Sequence, residues 1–117
     1  MADNKSDDVA AVLDKIAGME PLQDIAVRMH EVITAAAPEL QPRLWYGMPG
    51  YAKSKSSPVI CFFRADDGLM TFGLTEKASL SRDQQAPDQL IEAAWFLRDL
   101  DKPTEARIAD IVKKAAR

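Results

Sequence analysis

The spacing of apolar residues changes once along the chain, and that change sets the fold class. From Val9 to Ala36 the apolar positions recur at three- and four-residue intervals. Val9, Val12, Leu13 and Ile16 make one stripe; Leu22, Ile25, Met29, Val32, Ile33 and Ala36 make a second. That is the period of amphipathic helices. Ser6 is placed to cap the first helix, with Asp7 and Asp8 against the positive end of its dipole, and Gly18 to end it. The second helix starts near Pro21 and is closed by Pro38, and residues 1–5 read as a frayed start.

Beyond Pro38 the pattern shortens. Leu44-Trp45-Tyr46 is a short aromatic strand. Gly47-Met48-Pro49-Gly50 reads as a turn or as a broken edge strand, continued by Tyr51-Ala52-Lys53. After a polar loop at 53–57, Pro58 to Phe63 is apolar on both faces, which suits a central strand. Asp66-Asp67-Gly68 is a hairpin signal, because glycine takes a positive φ without steric cost. Leu69 to Leu74 returns, with Met70, Phe72 and Leu74 on one inward face. Glu76 to Leu80 reads as a helical turn and Ser81 to Asp88 as loop. Ala94 to Leu97 is a last strand. A final helix begins around Asp101-Lys102-Pro103, with Ile108, Ile111, Val112 and Ala115 as its stripe and Lys113, Lys114 and Arg117 at its negative end. The expected architecture is a single α+β domain over residues 1–117, in the order α-α-β-(β)-β-β-(α)-β-α. An antiparallel sheet has its helices packed on one face, and the strand broken at Gly47-Met48-Pro49-Gly50 lies at an edge.

Charge and cysteine content narrow the function classes. Across 117 residues the net charge is −3. Residues 1–40 hold eight acids and three bases, whereas residues 81–117 hold seven of each. No basic face of the kind that binds nucleic acid is expected. One cysteine, Cys61, excludes an intrachain disulfide and a Cys-rich zinc site. No apolar run reaches the ~20 residues of a membrane span. The polar, acidic start is unlike a secretory signal, so the expected location is cytoplasmic.

Several of these segments together resemble a known family. Trp45-Tyr46-Gly47-Met48-Pro49, then Val59 to Phe63, then Leu69 to Leu74 running into Thr75-Glu76-Lys77-Ala78-Ser79-Leu80, are similar to the YdhG-like family of uncharacterised bacterial proteins. The preceding helix and Trp95-Phe96-Leu97 followed by the Pro103-led helix extend the resemblance over most of residues 9–116. Many relatives carry a Gly-rich stretch with a basic tail after the position of Leu80; this chain has Gln84-Gln85-Ala86-Pro87 instead. The resemblance implies a small α+β domain. For relatives regarded as frataxin-like, it implies iron handling.

Two candidate sites follow. The first is the acidic helix, where Asp7, Asp8 and Asp14 offer carboxylates that could hold iron loosely and at several points. The plainer account of those acids is a solvated helix face. The second is the aromatic turn, where Trp45, Tyr46, Met48 and Tyr51 lie beside Arg43 and could line a cleft for a small molecule or a protein partner. Its plainer account is a cover for one end of the sheet. His30 reads as a boundary residue and Cys61 as core. With one histidine and one cysteine, no Gly-rich phosphate loop and no HExxH, no catalytic constellation is recognisable. The expectation is a non-enzymatic binding module, either iron-handling or ligand-binding, with an enzyme as the third reading.

Overall fold

The computed structural model describes the backbone of residues 4–117 and the side chains from Asp7 onward. Three helices and five strands follow in the order α1 (Asn4–Ala17), α2 (Gln23–Ala36), β1 (Gln41–Trp45), β2 (Met48–Ala52), β3 (Val59–Asp66), β4 (Leu69–Leu74), β5 (Ala94–Leu97) and α3 (Lys102–Ala115). The chain is α+β. α1 begins at Asn4, so Ser6 lies within the helix rather than at its cap, and Asn4 and Lys5 are helical rather than frayed. The Ser6 side chain and residues 1–3 fall outside the described residues.

The five strands form one antiparallel sheet in sequence order, β1-β2-β3-β4-β5. Two-residue turns close two of its hairpins, Tyr46-Gly47 between Trp45 and Met48 and Asp67-Gly68 between Asp66 and Leu69. All four turn residues have positive φ, from 51° to 76°. That is the type I′ geometry, whose twist matches that of the flanking strands.

The sheet has one covered face. Tyr51, Cys61, Phe63, Met70 and Phe72 alternate onto it and join Val12 and Ile16 of α1, Met29 and Ile33 of α2, and Ile108 and Val112 of α3 in a single core. Met29 and Phe72 therefore belong to the same interior, as the matching apolar faces require. α1 lies along β1 and β2, and α2 lies against α3. Arg28 forks onto Glu105 across that helix pair, at 2.9 Å from Nε and 2.7 Å from Nη2. α3 starts as its sequence dictates. The Asp101 carboxylate accepts from the Thr104 amide, with proline in the first turn.

Two expectations are corrected. The strand containing Pro49 and Gly50 is not at an edge; it is second in the sheet, and β1 and β5 are the edges. Glu76 to Leu80 is not helical. Thr75 instead donates its hydroxyl to the Val59 carbonyl and its carbonyl accepts from Ala78, a single turn that goes no further. The Ser79 amide then donates to the Ala115 carbonyl at the end of α3. The rest of the irregular segment up to β5 is held from inside. The Arg82 guanidinium donates through Nη1 to the carbonyls of Asp83, Ala86 and Asp88.

Candidate functional site

Pro49 explains where the sheet opens. In a two-residue hairpin the closing pair, here Trp45 and Met48, exchanges both backbone hydrogen bonds. Alternation then turns Met48 and Gly50 toward β1, and Pro49 and Tyr51 toward β3. Proline has no N–H to donate on that side. The ladder between β2 and β3 accordingly covers only Gly50 to Ala52, starting at Gly50↔Phe62. Beyond it the tips of the two hairpins, β1–β2 and β3–β4, separate.

The gap is a cleft of about 580 Å³. Tyr46, Gly47 and Met48 form one wall, and Arg64 to Gly68 form the other. The corner between α1 and α2, from Gly18 to Leu22, closes it, and Asp14 and Lys15 reach it from the last turns of α1. The Glu20–Pro21 peptide in that corner is cis. The walls combine two hairpin turns with the strand ends that flank them, and the corner is a helix junction, so the cleft is built where turns meet on a rigid frame.

Tyr46 is the unusual residue here. Its φ is 51°, and its side chain is 86 % exposed at the mouth of the cleft. Bulky residues avoid the left-handed region, which asparagine, aspartate and glycine tolerate. The neighbouring turn obeys that preference with Asp67-Gly68. Tyr46 is braced by Trp45, which meets it edge-on at 4.8 Å between ring centroids and leans on Phe62 at 5.2 Å. Trp45 in turn needs a glycine at Gly50, its diagonal neighbour across the hairpin. A Cβ on Gly50 would stand 2.9 Å from the Trp45 Cβ and 3.1 Å from Val59.

The structure divides the residues singled out from sequence. Tyr46, Met48 and Asp14 come together in the cleft, uniting a member of the acidic set with two of the aromatic set. Trp45 supports Tyr46 from the other side. Tyr51 points the opposite way and is fully buried, stacked on Phe63 and sharing a 2.8 Å hydrogen bond with His30 Nδ1. Arg43 lies toward the far end of the same hairpin, where its Nη1 donates to the Ser54 and Lys55 carbonyls and pins the 53–57 loop. Asp7 is exposed and Asp8 half-buried, one to two turns before Asp14. Among the described residues, no three His, Cys, Asp or Glu side chains gather as a metal would need.

Glu20, Arg64, Asp66 and Asp67 are cleft residues that sequence reasoning did not select. Asp66 and Asp67 were legible as turn formers, but their position beside Tyr46 depends on the strand order. Elsewhere, burial pushes the Cys61 thiol up to about 12 and holds the Tyr51 phenol far above its ordinary range. Burial also lowers the His30 imidazole below its usual value, with Glu31 pulling weakly the other way. No family model, curated protein or solved structure matches this chain.

Proposed function

We propose that the protein is a non-enzymatic binding module whose ligand enters the cleft between the two hairpin tips. The observation that carries this reading is Tyr46. A large aromatic side chain occupies a backbone position that disfavours it, and it is left in solvent at the mouth of a cleft of about 580 Å³. Strain of this kind is retained where the side chain is used. An aromatic ring with a polar tip suits recognition, since it offers a broad apolar face at low entropy cost.

Iron handling along the first helix is the second reading, and Asp14 is the observation that favours it. This carboxylate shares the cleft with Glu20, Asp66 and Asp67, so a cation drawn to Asp7, Asp8 and Asp14 would meet further oxygens there. The experiment that tests the first reading is fragment mapping by amide chemical shifts. Binding fragments should move Gly18, Gly47 and Gly68 together. Fragments that move only residues around Trp95 and Ile111, beside α3, would place the site elsewhere.

A further inference from the structure

We infer that the outer edge of β5 is an interface on which a second copy of this chain pairs antiparallel, strand to strand about a two-fold axis. The two edges of the sheet are built differently. Trp45↔Met48 and Asp66↔Leu69 close two-residue hairpins, and alternation from these pairs fixes which way the later backbone groups point. On β1 it turns Pro42 and Leu44 away from β2. Proline has no N–H to offer there, and α1 lies along the strand, so that edge is blunted.

On β4 the same alternation turns Met70, Phe72 and Leu74 toward β5, and the Leu74 amide donates to the Ala93 carbonyl at 2.7 Å. Trp95 and Leu97 are the partners of Phe72 and Met70. The N–H and C=O groups of Ala94 and Phe96 therefore point out of the sheet. β5 reads Ala-Trp-Phe-Leu, with no proline, lysine or acid to guard it. Phe96 is 70 % exposed, and Leu90 and Ile91 just before the strand are exposed as well.

The edge fits itself. Only outward groups can bond, and pairing Ala94 with the second copy's Phe96 uses all of them, twice over by symmetry. Pairing Phe96 with Phe96, or Ala94 with Ala94, would leave the other outward residue of each β5 without a partner inside the strand. The favoured register sets Phe96 beside a small Ala94 and diagonal to the other Phe96, on the face away from the core. Just beyond the strand ends, Arg98 comes level with the second copy's Glu92, and the same pair recurs at the other end. Arg98 is exposed and takes part in no ion pair among the described residues. Glu92 makes only a 3.5 Å, exposed contact with Arg107, which leaves its carboxylate room to accept. This charge match, repeated by the two-fold, favours a second copy over an unrelated strand.

Sedimentation velocity on the intact chain, from about 10 μM to about 1 mM, tests the pairing. The chain should pass from one copy to two over that range. Ala94→Pro removes an outward N–H without touching the β4 ladder, and should hold the chain at one copy. Phe96→Lys, at an exposed position, should do the same and guards against a folding fault in the proline variant. Glu92→Arg and Arg98→Glu should each weaken pairing about tenfold, because each sets like charges opposite one another at both ends. Combining Glu92→Arg with Arg98→Glu should restore it. A single copy up to about 1 mM would overturn the proposal and leave the edge to a strand of a different protein. Two copies that persist in both Ala94→Pro and Phe96→Lys would overturn it as well, by placing the contact elsewhere. Failure of the combined variant to regain the pairing would overturn the register, and with it the case for a second copy.

Discussion

Tyr46 and Asp67 hold the same position in two neighbouring turns, each the first of two residues with positive φ, at 51° and 52°. Asp67 belongs to a residue type that tolerates this conformation, and Tyr46 does not. The two turns face each other across the cleft that Pro49 opens, so one hairpin tip is built for stability and the other carries an aromatic group at a conformational cost.

The glycines and proline of the first hairpin separate conformational from steric effects. Gly47→Ala meets open space, and its cost comes from φ alone, about 1 kcal/mol. Gly50→Ala drives a methyl into Trp45 and Val59 and should cost about 1–3 kcal/mol. Pro49→Ala should lose about 1 kcal/mol, through a freer unfolded chain and a smaller buried side chain. Chemical denaturation of the three variants checks the ranking, with Gly50→Ala the most damaging.

The burial of His30, beside its hydrogen bond to Tyr51, predicts a pH dependence. Burial lowers the His30 pKa in the fold, so the unfolded chain binds its proton more readily. Stability from this group is fully present above its unfolded value of about 6.5 and is lost as pH falls through the lower folded value. Asp101 and Glu105 are held below their usual values, by hydrogen bonds from Thr104 and from Arg28 respectively, and their contributions disappear in the acid range below. Unfolding measured between pH 7 and 5 should therefore show a slope that His30→Gln removes. Tyr51→Phe should cost about 1 kcal/mol by leaving the imidazole nitrogen without its partner.

Much of the fold is legible in the sequence because each element carries its own period. The stripes of α1 and α2 and the Asp67-Gly68 turn needed no tertiary information. The position of β2 was not legible. Pro49 and Gly50 argue against an inner strand, and only the alternation of hydrogen bonds shows that the missing N–H faces the side where β3 has already parted. The turn expected at 76–80 did not lengthen into a helix because Thr75 is bonded to β3 and Ser79 to the end of α3.

The site was half legible for a related reason. Tyr46 and Met48 stand out in the aromatic turn region, but Tyr51 alternates onto the opposite, buried face. Asp66 reads as an ordinary strand end and Asp67 and Glu20 as ordinary turn residues until the meander and the helix corner bring them beside Tyr46.

Manganese provides a check on the second reading. A loosely held divalent cation on the acidic helix should broaden the amides of Asp7, Asp8 and Asp14 first. Broadening spread evenly over the acids of α3 as well, such as Asp110, would identify a solvated face. Replacing Asp7 and Asp8 by asparagine should abolish selective broadening without lowering stability.

The most direct measurement is of stability and ligand affinity together in Tyr46→Asn. Asparagine accepts the left-handed conformation and removes the ring. The variant should be more stable by about 0.5–1 kcal/mol and should lose most of its affinity for the fragments that move Gly18, Gly47 and Gly68. Reduced stability with unchanged affinity would contradict the account, because Tyr46 would then serve the fold and not the cleft.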